Sequence, residues 1–347
     1  MQPGRDQEMV RVTGARGSRW PKFLARAFAV VSVAAVVVVV WRALPEIRES
    51  AGALLDFGPG LVLVVLLLEA AAVACLPQVY RTSVEALGER VAYRDALQVS
   101  MGAFTISRIL PGGGAAGGVF AARRLTRLGI GGPAATLAVG LEGVLAMVTL
   151  GAIVALGSGV SALRGIVPGI YAVIVLAVTA CFAAVLVAGR MAMVNVRVRE
   201  RLLRVVDRFA GRRVDVAALR ETVVELAVRL PDGRLLLPIV AWSAANWGLD
   251  IAALWVAFAG LGHAIPVGVL LIGFAAANLL TAFPHTPGGL GVVEVGMAAT
   301  YIAFDIPAAT AIAGVLGYRL IAYWLPVLAG VPQYFRSGRL TEPAAAQ

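Results

Sequence analysis

Six ionisable side chains stand inside otherwise apolar stretches of the sequence, and their types give them the clearest capacity for chemistry. They are Glu69, Arg108, Glu142, Asp250, Glu294 and Arg319. If such a stretch crosses a bilayer, a charge at its centre costs roughly 2.5–3.5 kcal/mol on insertion scales. We therefore expect these side chains to face the interior of a helix bundle, where they pair with one another or line a water-filled cavity.

The two arginines are candidate clamps for a phosphate or carboxylate group, because a guanidinium forms charge-assisted hydrogen bonds with such anions. Arg319 also shares a helix face with Tyr323, four residues later. The acidic residues would hold the arginines between substrates or carry a coupling proton, and they are Glu142, Asp250 and Glu294. The alternative is a set of permanent Arg–Glu pairs that only fix the register of the helices.

Two other polar features accompany these charges. Ser243, Asn246 and Asp250 recur at helical spacing and predict a polar stripe along one span. His285 lies beside Pro284 and Pro287 and is either a group that titrates near neutral pH or a hydrogen-bonded structural residue of a turn.

Two segments rich in proline and glycine, residues 107–119 and 280–292, resemble each other. Aligning Pro111 on Pro284 also superposes Gly118 on Gly291, at an offset of 173 residues. Proline removes a backbone donor and glycine leaves amides uncovered, so broken helix ends of this kind can direct N–H groups at an anion. The motif residues that we predict to bind substrate are Pro111, Gly113, Gly114, Pro287, Gly288, Gly289 and Gly291.

The alternative for the glycines is a structural one. The spacings Gly113-xxx-Gly117 and Gly114-xxx-Gly118 suit helices that kink and pack closely through small residues.

The composition indicates which elements must position these residues. The chain has 347 residues, is 60% hydrophobic and 14% charged, and has a mean hydropathy of +0.86. These values exclude an ordinary soluble chain and a disordered one. Cys75 and Cys181 both lie in apolar runs, so neither a disulfide framework nor a metal site is expected, and no cofactor is predicted.

Six apolar runs are long enough to cross a bilayer, which takes about 20 residues. They cover residues 23–41, 59–79, 133–156, 166–189, 235–260 and 308–331. Two further apolar regions, 96–121 and 265–304, are interrupted near their middles by proline and glycine. We predict an all-α polytopic membrane helix bundle with six full spans and two broken or re-entrant helix pairs.

The distribution of basic residues predicts the orientation. If the N-terminus is cytoplasmic, 25 of the 30 Lys and Arg residues fall on the inner side of the membrane. This positive-inside bias predicts that both termini lie in the cytoplasm, and we expect the protein in the plasma membrane. Nucleic-acid binding is not expected, because no aromatic-basic or DNA-binding pattern is present. Three full spans separate the two Pro/Gly motifs, so the repeats are predicted to be inverted.

The predicted organisation places a basic cytoplasmic tail at residues 1–22 and a transmembrane domain at 23–335, with repeat halves at about 59–165 and 235–331. Residues 195–233 form a cytoplasmic amphipathic segment, which either connects the halves or serves a partner, and residues 336–347 form a C-terminal tail.

Several motifs together resemble a known family. They are Pro284-x-x-Pro287-Gly288-Gly289-Leu290-Gly291-x-x-Glu294, the later Tyr318-Arg319, the upstream Leu110-Pro111-Gly112-Gly113, and Glu142-Gly143. Over most of residues 20–335 the chain looks like the flippase-like transmembrane domain of lysylphosphatidylglycerol synthases and their stand-alone relatives. The resemblance implies movement of an anionic or aminoacylated phospholipid, or another lipid-linked solute, between leaflets. The site residues that it implies are Pro287, Gly288, Gly289, Gly291, Glu294 and Arg319.

The chain departs from that family in two places. Many relatives carry an acidic residue after the first glycine run, where this sequence has Gly117-Gly118-Val119, which suggests a different substrate chemistry. About 15 residues follow the last predicted span, so we expect no aminoacyl-transferase domain and no synthase activity.

Three functions remain open at this point. The leading hypothesis is a flippase with an alternating-access site between inverted repeats. The second is an intramembrane lipid-modifying enzyme, in which His285 and Glu294 act as acid and base. The third is a non-transporting scaffold that recruits a separate synthase through residues 195–233.

Overall fold

The computed structural model describes residues 58–109, 113–198, 233–281 and 289–338, with a few single positions between 199 and 232. Every regular element in these ranges is a helix, which confirms the all-α bundle. The predictions for the basic tail, the first span at 23–41, most of the segment 195–233 and most of the C-terminal tail lie outside the described residues.

The described residues form nine helices, numbered here in chain order. They are α1 Pro59–Glu85, α2 Tyr93–Ile109, α3 Gly113–Arg127, α4 Gly132–Leu163, α5 Gly169–Val194, α6 Gly233–Gly260, α7 Val267–Thr281, α8 Val292–Ala303 and α9 Ala308–Gly338. Helices α1, α4, α6 and α9 are each long and apolar enough to cross a bilayer. Helix α5, with 26 residues, covers the predicted span at 166–189.

The outer surface of the bundle is apolar. Leu163 is 91% exposed, Leu156 is 71% exposed and Leu67 is 61% exposed. Exposed leucines of this kind suit a lipid environment, where backbone polar groups are satisfied within helices and apolar side chains meet acyl chains. The chain is therefore a multi-pass membrane protein.

Both interrupted regions are folded as pairs of short helices, as predicted. Helices α2 and α3 have 17 and 15 residues, and helices α7 and α8 have 15 and 12. The two breaks, the first between α2 and α3 and the second between α7 and α8, differ in one respect from the motif alignment. Gly118 lies within α3, whereas Gly291 has a φ of 84° and forms the N-cap of α8. Glycine adopts this left-handed conformation without steric cost, and the helix therefore begins only after it.

The helix order repeats along the chain. A long helix, a pair of short helices and a second long helix form each half, and the corresponding helices start at residues 59 and 233, 93 and 267, and 132 and 308. Helices α1 and α6 pack along each other in opposite directions. Val65 near the start of α1 shares a buried cluster with Leu254 near the end of α6, and Val79 shares another with Ile239. The first helices of the two halves therefore run antiparallel.

The first helix of each short pair packs against the last long helix of the opposite half, α2 against α9 and α7 against α4. The second helix packs against the last long helix of its own half, α3 against α4 and α8 against α9. A glycine makes room at both contacts between opposite halves, and the two glycines are 173 residues apart. Gly157 of α4 meets the side chain of Leu271, and a Cβ on Gly330 of α9 would lie 2.7 Å from the carbonyl oxygen of Met101. This exchange places both breaks at the centre of the bundle.

Candidate substrate cavity

A cavity of about 720 Å³ lies between the two breaks. Eight of the described helices and the turn before α8 contribute to its walls. Seven of the predicted site residues line it, namely Arg108, Gly113, Gly114, Glu142, Asp250, Gly289 and Arg319. The predicted residues Pro111, His285, Pro287 and Gly288 lie outside the described residues.

Arg319 is held by an ion pair at the wall of the cavity. Its Nε lies 2.7 Å from Oε1 of Glu294, and the two side chains are only 10% and 13% exposed. The other carboxylate oxygen of Glu294 accepts a hydrogen bond of 2.7 Å from the backbone N–H of Gly291. Glu294 therefore satisfies the first amide of α8 and neutralises Arg319 at the same time. The predicted hydrogen-bond donor at Gly291 is occupied by a protein group in this conformation.

Arg108 has a different environment. It lies in the last turn of α2, and no carboxylate of the described residues comes within 4 Å of its guanidinium. Its Cζ lies 4.7 Å from the ring centroid of Phe104 and 5.6 Å from that of Tyr323. Aromatic faces hold a guanidinium without neutralising it. Arg108 therefore presents at the cavity a positive charge that no ion pair within 4 Å neutralises in the described residues.

Tyr323 connects the two arginines. Its ring centroid lies 5.2 Å from Cζ of Arg319, and its hydroxyl donates a hydrogen bond of 2.9 Å to the carbonyl oxygen of Arg108. The shared helix face of Arg319 and Tyr323 is thus confirmed. One aromatic ring contacts guanidinium groups from both halves of the repeat.

The other acidic residues do not pair with arginine in the described structure. Asp250 accepts a hydrogen bond from the hydroxyl of Tyr318 and lies beside the carboxyl group of Glu69. Glu142 lines the cavity from α4 and forms no ion pair with a described basic residue. Of the acids predicted to hold the arginines, Glu294 is the one that does so here.

The glycines of the first break divide into two groups. A Cβ on Gly113 would lie 2.8 Å from the carbonyl oxygen of Ile106, and one on Gly117 would lie 2.6 Å from that of Ala103. These two positions pack α3 against α2, as the structural alternative for the glycines predicts. No atom lies within 4 Å of the corresponding position on Gly114, which opens on the cavity.

The polar stripe on α6 is divided as well. The side-chain amide of Asn246 donates a hydrogen bond of 2.8 Å to the carbonyl oxygen of Ala72 and so joins α6 to α1. Ser243 is buried with its hydroxyl oxygen free of described partners, while Asp250 lines the cavity.

Several side chains at the site were not among the predicted site residues. Phe104, Ser107, Trp247 and Asn278 line the cavity, as does Tyr318, to which the family motif gave no role. Glu69 was expected to face the interior of the bundle and lies behind Asp250. For Phe104 a signal existed, because it precedes Arg108 by four residues and an aromatic ring at that spacing shares a face with the cation. Glu69 has no sequence neighbour that indicates its contact with Asp250, 181 positions later.

The sequence matches a family model described as the lysylphosphatidylglycerol synthase TM region over residues 27–330. A UPF0104 membrane protein of Pyrococcus horikoshii is 30% identical over 116 residues, which are 33% of this chain and 34% of that protein. A UPF0104 membrane protein of Methanothermobacter thermautotrophicus is 30% identical over 88 residues, 25% of this chain and 26% of that protein. The matches therefore span about a third and a quarter of these relatives.

Proposed function

Because the chain belongs to the family of lysylphosphatidylglycerol synthase TM regions, we propose that it moves an anionic or aminoacylated phospholipid, or another lipid-linked headgroup, between the leaflets of the membrane. The headgroup passes through the cavity between the two breaks. The positive-inside bias supports a plasma-membrane location with both termini in the cytoplasm.

The observation that carries this proposal is the pair of guanidinium groups on either side of Tyr323. Arg108 comes from the first half and Arg319 from the second, and both line the same cavity. A phosphate between them receives charge-assisted hydrogen bonds from two directions. Arg108 is available without breaking an ion pair, whereas Arg319 first has to share or release Glu294.

The repeat supports transport in preference to static binding. Each short-helix pair contacts both halves, the first helix packing on the opposite half and the second on its own, so a rocking motion of the halves would move the pairs and change the side from which the cavity opens. Glu142 lines the same cavity and supplies a negative charge for the ammonium group of an aminoacylated headgroup.

The proposal assigns no catalytic step to the chain. Two serine hydroxyls line the cavity, but Ser107 donates its hydrogen bond to the carbonyl oxygen of Ala103 and Ser100 donates to that of Leu97. A hydroxyl whose proton is committed to a backbone carbonyl has no base to activate it as a nucleophile.

Leaflet exchange in reconstituted vesicles tests the proposal. The purified chain is inserted into vesicles with a headgroup-labelled phosphatidylglycerol, and a membrane-impermeant reagent reports how much label reaches the outer leaflet. We expect exchange in the wild type and its loss in Arg108→Ala, Arg319→Ala and Glu294→Gln.

The matched control is Arg81→Ala, which removes a partly exposed arginine of α1 whose guanidinium lies 3.6 Å from Glu85, away from the cavity. Unchanged exchange in the folded Arg108→Ala and Arg319→Ala proteins contradicts the proposal. Mass spectrometry of the recovered lipid distinguishes transport from the enzyme hypothesis, which requires a chemically altered headgroup. A scaffold tolerates these substitutions and depends on residues 195–233 instead.

A further inference from the structure

Three side chains from three helices meet beside the cavity. Glu69 of α1 is 3% exposed, and its carboxyl group lies beside that of Asp250 on α6. Tyr318 of α9 donates its hydroxyl proton to Oδ1 of Asp250. Asp250 and Tyr318 line the cavity, and Glu69 lies behind them. The cluster thus joins the first helix of one half to two helices of the other.

Two carboxyl groups that lie side by side favour a shared proton, because two ionised groups would repel each other and the buried Glu69 is little screened by water. Oε1 of Glu69 is buried and receives no hydrogen bond from a donor in the described part of the chain. An ionised carboxylate oxygen without a donor in such a place is costly, whereas a protonated carboxyl group is tolerated.

The charges around the pair come from every helix that packs on α1. Arg108 on α2 and Arg319 on α9 both act electrostatically on the pair, while Tyr318 on α9 faces Asp250. Glu142 is the acidic group that α4 contributes to the same cavity. An anionic headgroup at the arginines would cancel the positive field that stabilises the remaining negative charge of the pair.

We propose that Glu69 and Asp250 form a proton-binding site, which holds one shared proton while the cavity is empty and a second while an anionic headgroup occupies the arginines. The inference rests on the proposed function, since it needs an anion at that place. The second proton comes from the aqueous phase to which the cavity is open and leaves with the headgroup on the other side. No bond of the lipid is made or broken, and the charge in the cavity stays constant.

Infrared difference spectroscopy tests the shared proton without any lipid. The purified full chain at neutral pH should show the C=O stretching band of a protonated carboxyl group. This band should disappear in Glu69→Gln and in Asp250→Asn and persist in Glu85→Gln, a control at the exposed end of α1. A band that is absent from the wild type, or that survives both cavity substitutions, overturns the shared proton.

Proton uptake tests the second proton. A short-chain phosphatidylglycerol is added to the chain in weak buffer, with a pH indicator for protons and tryptophan fluorescence for binding, since Trp247 lines the cavity. We expect one proton per bound lipid and an affinity that falls about tenfold per pH unit as pH rises, the slope that linkage of a single proton requires. The double variant Glu69→Gln/Asp250→Asn has no carboxyl group at this place, so any lipid that it binds should bring no proton uptake and no pH slope, while Glu85→Gln behaves as wild type.

The outcomes separate the two ideas. Lipid binding without proton uptake, or with equal uptake in Glu69→Gln/Asp250→Asn, overturns the second proton and leaves the proposed function standing. If no anionic lipid binds at any pH, the proposed function and the second proton both fail, and the infrared band alone decides whether the pair shares a proton.

Discussion

The two breaks at the centre of the bundle have a similar helical frame and a different charge balance. At the second break, Glu294 accepts a hydrogen bond from Gly291 and pairs with Arg319, so both the helix end and the arginine are compensated. At the first break, Arg108 has two aromatic faces beside it and no described carboxylate within 4 Å. The motif alignment places Ala121 opposite Glu294, so the first half has no equivalent acid.

This difference suggests how an inverted repeat can provide unlike half-sites. The backbone arrangement supplies the symmetry that alternating access requires. Under the proposed function the two arginines have different roles, because Arg108 has no ion pair to release before it binds an anion, whereas Arg319 is paired with Glu294. Arg108, the open arginine, and Arg319, the locked arginine, should therefore respond differently to substitution.

The largest effect on folding is expected at the second break. Glu294→Ala removes the carboxylate that forms an ion pair with the nearly buried Arg319 and uncaps α8, and breaking a buried ion pair in this way costs about 3–5 kcal/mol. Denaturant unfolding of the purified chain in micelles, followed by tryptophan fluorescence, measures the loss in the free energy of unfolding.

The double variant Glu294→Ala/Arg319→Ala is the matched control. It removes both charges, so its loss should be smaller than the sum of the two single losses. Additive losses would mean that the 2.7 Å ion pair does not stabilise the second break.

The largest effect on binding is expected at the first break. Arg108→Ala breaks no ion pair but removes two cation–π contacts of about 0.5–1 kcal/mol each, so the free energy of unfolding should fall by about 1–2 kcal/mol, less than at the second break. The affinity for short-chain phosphatidylglycerol should fall about 10- to 100-fold, which corresponds to the 1.5–3 kcal/mol of a hydrogen bond to a charged group. Calorimetric titration measures it, with Arg81→Ala as the control. Equal affinities in the wild type and Arg108→Ala would contradict the role of the open arginine.

The sequence predicted most of this frame because its signals are local. Runs of about 20 apolar residues gave the spans, and proline with glycine gave the two interruptions. The pairing of Arg319 with Glu294 was also within reach, since both belong to one repeat motif and each needs a partner in an apolar setting.

The contacts between the halves could not be obtained in this way. That α2 packs on α9 brings Tyr323 over Arg108, 215 positions away, and no local spacing records that approach. The contact of Glu69 with Asp250 likewise depends on how α1 and α6 are packed. The motif alignment also misplaced Gly118, because residue matching does not show where a helix starts.

Two neighbouring glycines of the first break differ in their surroundings, and alanine substitutions test that difference. Gly113→Ala places a Cβ against the backbone of α2, which cannot rotate away, and overpacking of this kind costs about 1–3 kcal/mol. Gly114→Ala meets open space and should be neutral or stabilising by up to about 1 kcal/mol, since alanine favours a helix. The same unfolding assay measures both. Equal losses in the two variants would show that the close packing of α3 on α2 does not distinguish these neighbours.

The smallest effect should come from the ring that joins the two breaks. Tyr323→Phe removes the hydrogen bond to the carbonyl oxygen of Arg108 and should cost about 0.5–1.5 kcal/mol of unfolding free energy, while the ring still contacts both guanidiniums. Tyr323→Leu also removes the ring, and the loss of cation–π contact should lower the affinity for phosphatidylglycerol by a further 0.5–1 kcal/mol or about threefold. Titration of both variants separates hydroxyl from ring. If Tyr323→Leu and Tyr323→Phe bind the lipid equally well, the ring of Tyr323 does not couple Arg108 to Arg319. Any coupling between the two arginines then has to pass through the contact between α1 and α6.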